Sequence, residues 1–157
     1  MTTELLLRFV AQLLHVLSAV VWVGGMFFAY MVLRPAAATI LESPMRLRLW
    51  SGTFSRFFPW VWGAVVVLLV TGFWMMFSWF GGWHAPPYVQ MMLGLGIVMM
   101  FIYFHAYFAP YRRLRRAVEK QDWPSGGRAL AQIRWIVGVN LLIGIVVIAL
   151  GAGGRFF

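Results

Sequence analysis

Residues 9–33 contain no Asp, Glu, Lys or Arg. At about 1.5 Å of rise per residue, a helix of that length crosses a hydrocarbon core of about 30 Å. Inside lipid every backbone N–H and C=O must find a partner within the protein, which leaves helices or a closed barrel. Three further runs, over residues 58–79, 89–108 and 133–152, are comparably apolar, and none alternates with the period of a strand. The chain therefore predicts an all-α, integral membrane four-helix bundle, a single domain over residues 1–157. Hydrophobic residues make up 62% of it, well above the share of a soluble domain. The opening MTTELLLRF lacks a basic n-region and a small-residue cleavage pattern, so the first run is expected to be retained as a helix.

Prolines and charges set the expected boundaries. Arg34-Pro35 should close the first span, Pro59 should sit at the start of the second, and Pro110 should end the third. Arg34, Arg46, Arg48 and Arg56 lie between spans one and two. Arg112, Arg113, Arg115, Arg116, Lys120, Arg128 and Arg134 lie between spans three and four. The connection SWFGGWHAPPY carries no full charge, and only Arg8 and Arg155 flank that side. The positive-inside rule then places both basic connections in the cytoplasm and both termini outside, toward the periplasm if the chain sits in a bacterial inner (plasma) membrane. The stretch YRRLRRAVEKQDWPSGG should carry helix three into water as a basic extension at about 111–134, ending near Pro124 or Gly126. Its partners are expected to be membrane lipids, anionic ones on the cytoplasmic side. The net charge of +9 is not read as a nucleic-acid footprint, because the cations flank apolar runs. Trp60, Trp62, Trp79, Trp83, Tyr88, Tyr107, Tyr111 and Trp135 near the span ends predict an interfacial aromatic belt.

Three histidines carry the chemistry. An ionisable group inside a span is a functional candidate by default, and His15 lies one or two turns inside the outer end of span one. Ala11, His15, Ser18, Trp22 and Met26 follow at helical spacing and can share a face. Gly24-Gly25 removes bulk further along, leaving room for a flat cofactor or for close helix approach. His84, in GGWHAPP, lies at the same membrane face and is a possible second ligand, a proton relay or an ordinary loop residue. His105 lies near the inner end of span three. Spans one and three cross in the same direction, which separates His15 and His105 by about 15 Å in depth. One haem iron should therefore not take both. Asn140 is expected at the depth of His105, where an Asn–His hydrogen bond would satisfy both. Gln90, near the outer start of span three, can orient an imidazole, bind quinone or face headgroups. Thr71 can simply bond back to its own helix.

Softer ligands are available too. Met26 and Met92 are the thioethers best placed to reach a metal, although methionine is also ordinary apolar filler. Gly94 with Gly96, and Gly138 with Gly144, predict close helix packing. The absence of cysteine removes disulfides, thiolate metal sites and c-type haem attachment.

The features HVLSAVVWVGGMFF and VLRP, the four spans, and RWIVGVNLLIG near the end resemble the copper-resistance D family of membrane proteins. The opening is also similar to the bacterial membrane protoporphyrinogen oxidase family, small four-helix proteins reported to bind b-type haem. The matching positions are His15, Trp22, Gly24-Gly25 and Arg34; where that family has a lysine near the start of its third helix, this chain has Gln90. These resemblances imply a haem-b-binding membrane redox protein exchanging electrons with quinone or oxygen. His15, His84 and His105 would be candidate ligands, Trp22, Gly24 and Gly25 would pack the macrocycle, and Gln90, Asn140, Met26 and Met92 would stand in support. If an enzyme, the chain would be a haem-dependent oxidoreductase. Three alternatives stay open: a copper-binding or copper-import protein, a protoporphyrinogen oxidase-like enzyme, and a noncatalytic membrane scaffold. A homodimer is compatible with each.

Overall fold

The computed structural model describes residues 2–156; the side chain of Arg155 lies outside the described residues. Four long helices build the fold: α1 (Thr3–Ile40), α2 (Ser43–Trp79), α3 (Pro87–Glu119) and α4 (Trp123–Gly153). Each is long and apolar enough to cross a bilayer, and each exposes large apolar side chains such as Leu17, Val70, Phe101 and Leu142 to its surroundings. The chain is a multi-pass membrane protein, consistent with an inner-membrane location. α1 packs along α2, and α3 along α4; the two hairpins join where α4 meets α2 and the far half of α1. The termini and the 80–86 connection share one, weakly charged end of the bundle. The other end carries the two arginine-rich connections.

The helices run further than their prolines suggest. α1 continues past Pro35 to Ile40, and α3 continues past Pro110 to Glu119. A wider π-helical turn accompanies each proline: Phe28–Leu33 precedes Pro35, and Tyr107–Tyr111 contains Pro110. A proline ring lacks the N–H of its turn and crowds the carbonyl four residues back. Widening the turn relieves that crowding without ending the helix. Pro59 lies well inside α2, a 37-residue helix about 55 Å long, rather than at its start. The basic extension also ends earlier than expected. Gln121 takes a left-handed conformation (φ 57°) and breaks the helix after Glu119. Asp122 then caps α4 by accepting from the Ser125 N–H at 3.1 Å, and Pro124 falls in the first turn of the new helix. Those hydrogen bonds with Ser125 hold the Asp122 carboxyl below the ordinary range.

Packing differs between the two ends of the bundle. Toward the basic end, Trp50, Phe54, Phe58 and Trp62 repeat every fourth residue along α2 and meet Tyr103, Tyr107 and Tyr111 of α3. Phe54 stacks on Phe58 at 5.2 Å, Phe58 meets Tyr111 edge-on at 4.7 Å, and Trp62 stacks on Phe104 at 4.9 Å. The Tyr103 hydroxyl donates to the Phe58 carbonyl at 3.0 Å. Three residues expected in the interfacial belt, Trp62, Tyr107 and Tyr111, are therefore packing elements of this tract. Trp60, Trp83 and Trp135 are about 70% exposed and free to sit at an interface. Toward the weakly charged end the buried residues are mostly smaller: Ala11, Ser18, Thr71 and Gly82, with Met76 among them.

The glycines divide in the same way. A Cβ on Gly144 would press on Val23 and Met99, and one on Gly138 would press on Tyr30, so both permit close approach. Gly94 and Gly96 have nothing within 4 Å of such a Cβ, and the packing role expected of them is not observed.

Candidate functional site

Two polar nodes lie in the apolar interior, both approached from α1. The first joins α1 to α2 near the weakly charged end. The His15 Nδ1 lies 2.8 Å from the Thr71 hydroxyl oxygen. That hydroxyl also lies 2.6 Å from the Val67 carbonyl, which can only accept, so the Thr71 proton points there. Thr71 must then accept from His15, which fixes a proton on Nδ1 and leaves the lone pair on Nε2. An imidazole oriented through its other ring N–H in this way is arranged as metal-binding histidines commonly are. Gly72 makes the approach possible: a Cβ there would stand 3.2 Å from the His15 Cε1. Met76, one turn further along the same face of α2, is buried.

The second node joins α1 to α4. The Asn140 side-chain amide donates to the Met26 Sδ at 3.7 Å. Asn140 is 3% exposed, and its Oδ1 has no hydrogen-bond partner among the described residues. Met99 faces α4 one turn further along, where its methyl would meet a Cβ on Gly144 at 3.1 Å. Eleven residues separate His15 from Met26, which puts the nodes about 16 Å apart along α1.

The remaining candidates do not join these nodes. His84 is exposed in the single 3₁₀ turn Gly82–His84. His105 is exposed on α3, so the expected Asn140–His105 hydrogen bond is absent; Asn140 pairs with Met26 instead. Gln90 neither orients His15 nor reaches into the bundle. Its amide donates to the Trp83 and Ala85 carbonyls at 3.2 and 2.9 Å, clipping the 80–86 connection onto α3. Trp22 is buried in the π-helical turn Val20–Gly24, edge-on to Tyr103 at 6.0 Å. Gly24 has no neighbour within reach of a Cβ, whereas a Cβ on Gly25 would overlap the Phe57 ring. The bulk missing at Gly25 is thus taken up by Phe57. Met92 is half-buried against Gly151. Among the described residues no three His, Cys, Asp or Glu side chains gather as a metal cluster.

The family model for copper resistance protein D matches residues 51–153, from within α2 to the last residue of α4. The chain belongs to the copper resistance protein D family. No curated protein and no solved structure matches it. The matched region carries Thr71, Gly72, Met76, Met99 and Asn140, while His15 and Met26 belong to α1, outside it. In this family member each node therefore pairs a residue of the matched region with one that precedes it.

Proposed function

We propose that this copper resistance protein D family member binds copper in the membrane interior, with His15 as its first ligand. The supporting observation is the His15–Thr71–Val67 chain, which leaves the Nε2 lone pair unprotonated and positioned. Neutral imidazole and thioether are suitable ligands for Cu(I). Met76, one turn from Gly72 and buried, is a candidate thioether on the same helix. The Met26–Asn140 node offers a second thioether station further into the bundle, with Met99 beside it. Two stations about 16 Å apart suit an ion that is passed along α1 as cargo.

The Thr71 hydroxyl provides the test. Removing an outer-shell partner of a metal-bound histidine typically weakens the metal by about 10–100-fold. Thr71→Val should lose Cu(I) affinity by about that factor in competition with a chromogenic Cu(I) chelator, and Thr71→Ser should restore it. Wild-type affinity in Thr71→Val would refute the role of His15 Nε2.

Haem b is the second reading, supported by the same lone pair, which also suits iron. The surrounding residues fit it less well. Phe57 occupies the room at Gly25, Trp22 is engaged with Tyr103, and both other histidines are exposed. Electron exchange with quinone or oxygen, and porphyrinogen oxidation, belong to this reading alone. A Soret band in the purified protein that disappears in His15→Ala would favour it over copper.

The orientation is part of the proposal. The basic connections face the cytoplasm, and the termini and residues 80–86 face the opposite side. Since the chain has no cysteine, single introduced thiols report cleanly. Trp83→Cys should react with an impermeant maleimide in intact spheroplasts and Lys120→Cys only after lysis. The reverse pattern would invert the topology.

A further inference from the structure

The basic end of the bundle contains a cavity of about 580 Å³ between the last turns of α1 and the first turns of α2 and α4. Its charged lining is three arginines, Arg34, Arg46 and Arg134, one from each helix. Arg34 and Arg46 are half-buried, and the Arg34 guanidinium lies over the Tyr30 ring at 4.9 Å. Among the described residues no carboxylate lines the cavity, and the one ion pair, Arg115–Glu119, lies on the exposed face of α3. Arg134 is exposed at the rim, so three guanidinium groups line one cavity that no carboxylate lines. Apart from Ser43 and Tyr30, the rest of the wall is apolar, with Trp50, Phe54 and Val137 on it.

This combination selects an amphiphile. A soluble phosphate would pair with the arginines and leave the aromatic wall wetted. A neutral lipid would cover the wall and leave three cations uncompensated. The position reinforces the choice, because Arg34 directly follows the charge-free run of α1, where the hydrocarbon core gives way to headgroups. Arginine forks match phosphate oxygens bidentately, and basic pockets between membrane helices hold acidic headgroups. We propose that this cavity is a binding site for one anionic phospholipid of the adjoining leaflet. Its phosphate sits among Arg34, Arg46 and Arg134, and the first part of an acyl chain lies along Trp50, Phe54 and Val137. The site is separate from both interior nodes and does not depend on the copper reading.

A second basic cavity serves as its control. Arg113, Arg116, Lys120 and Arg128 line a space of about 420 Å³ between the end of α3 and the start of α4, but Asp122 lines it too and no aromatic side chain does. Arg113 already donates to Gln132 at 2.7 Å, and Arg128 to Ser125 at 2.8 Å. Substituting three arginines at either cavity removes the same formal charge.

Native mass spectrometry of the full chain, released from detergent containing either phosphatidylglycerol or phosphatidylcholine, tests the site. The wild type should retain a single phosphatidylglycerol with at least about tenfold preference over phosphatidylcholine. The triple variant Arg34→Gln, Arg46→Gln, Arg134→Gln should lose that preference, while Arg113→Gln, Arg116→Gln, Arg128→Gln keeps it. Ala131→Trp, which keeps every charge and fills the cavity, should also lose the adduct and guards against a triple variant that does not fold. Equal losses in the two triple variants would reduce the effect to general surface charge. Displacement of phosphatidylglycerol by inorganic phosphate would make this a soluble-anion site. Either result, or no preference in the wild type, overturns the proposal.

Discussion

His15→Ala should abolish the first equivalent of bound Cu(I) while the bundle still inserts and folds. The loss should be complete because no other histidine can replace it: His84 is in the exposed connection and His105 is on the exposed side of α3. Insertion should be unaffected, because four apolar helices drive it and removing one imidazole makes α1 more apolar. Stability should change little. Hydrogen bonds between side chains of membrane helices contribute about 0.6 kcal/mol on average, and Thr71 keeps its bond to the Val67 carbonyl after the substitution. The measurements are copper stoichiometry by elemental analysis under reducing conditions, beside a thermal melt in the same detergent. A folded His15→Ala protein that retains its full copper would remove His15 from the site. A protein that loses copper and also unfolds would show that the imidazole is chiefly a structural link between α1 and α2.

Depth was legible in the sequence, and azimuth was not. Counting residues from the ends of the apolar runs placed His15 inside the bundle and put Asn140 and His105 at similar depth. It could not say which way each side chain pointed. On α3 the buried stripe runs Met99, Tyr103, Ala106, Pro110, and His105 falls just off it, so Asn140 meets Met26 across the bundle instead. Residues 87–106 are apolar on every face, so no stripe in the sequence marks which side of α3 His105 occupies. The bond of Thr71 to its own helix, expected from its residue type, is present. Its second bond needed the register of α1 against α2, which a single sequence does not supply. The helix ends were misplaced for a different reason. Proline ordinarily ends a helix, but a π-helical turn before Pro35 and another containing Pro110 accommodate both rings and let α1 and α3 continue. The arginine cavity has no signature in the sequence, because Arg34, Arg46 and Arg134 lie on three different helices and come to line one space only after folding.

Asn140→Leu should separate stability from metal handling at the second node. Leu has the same number of side-chain heavy atoms and the same branching, so it can enter the space between Met26 and α4 with little rearrangement. It removes the Oδ1 that has no partner among the described residues. A buried polar group without a hydrogen bond costs about 1–3 kcal/mol, and the Nδ2–H···Sδ contact at 3.7 Å offsets little of that. The apo-protein should therefore gain about 1 kcal/mol, read as a higher denaturation midpoint in detergent. The gain is accompanied by a functional loss. Without the amide, Met26 has no group to orient its thioether and the station has no oxygen to face an ion. Asn140→Leu should therefore lose the second copper equivalent and retain the one at His15. Met26→Leu complements it: the amide then has neither sulfur nor ion, so copper is lost and stability falls instead of rising. Coupled gain and loss is what a polar group kept for function, at a cost to the fold, should show. If Asn140→Leu were destabilising and kept both copper equivalents, Asn140 would be a packing residue. If it were stabilising with copper unchanged, the orphan oxygen would serve something other than the metal, and the copper path would end at His15.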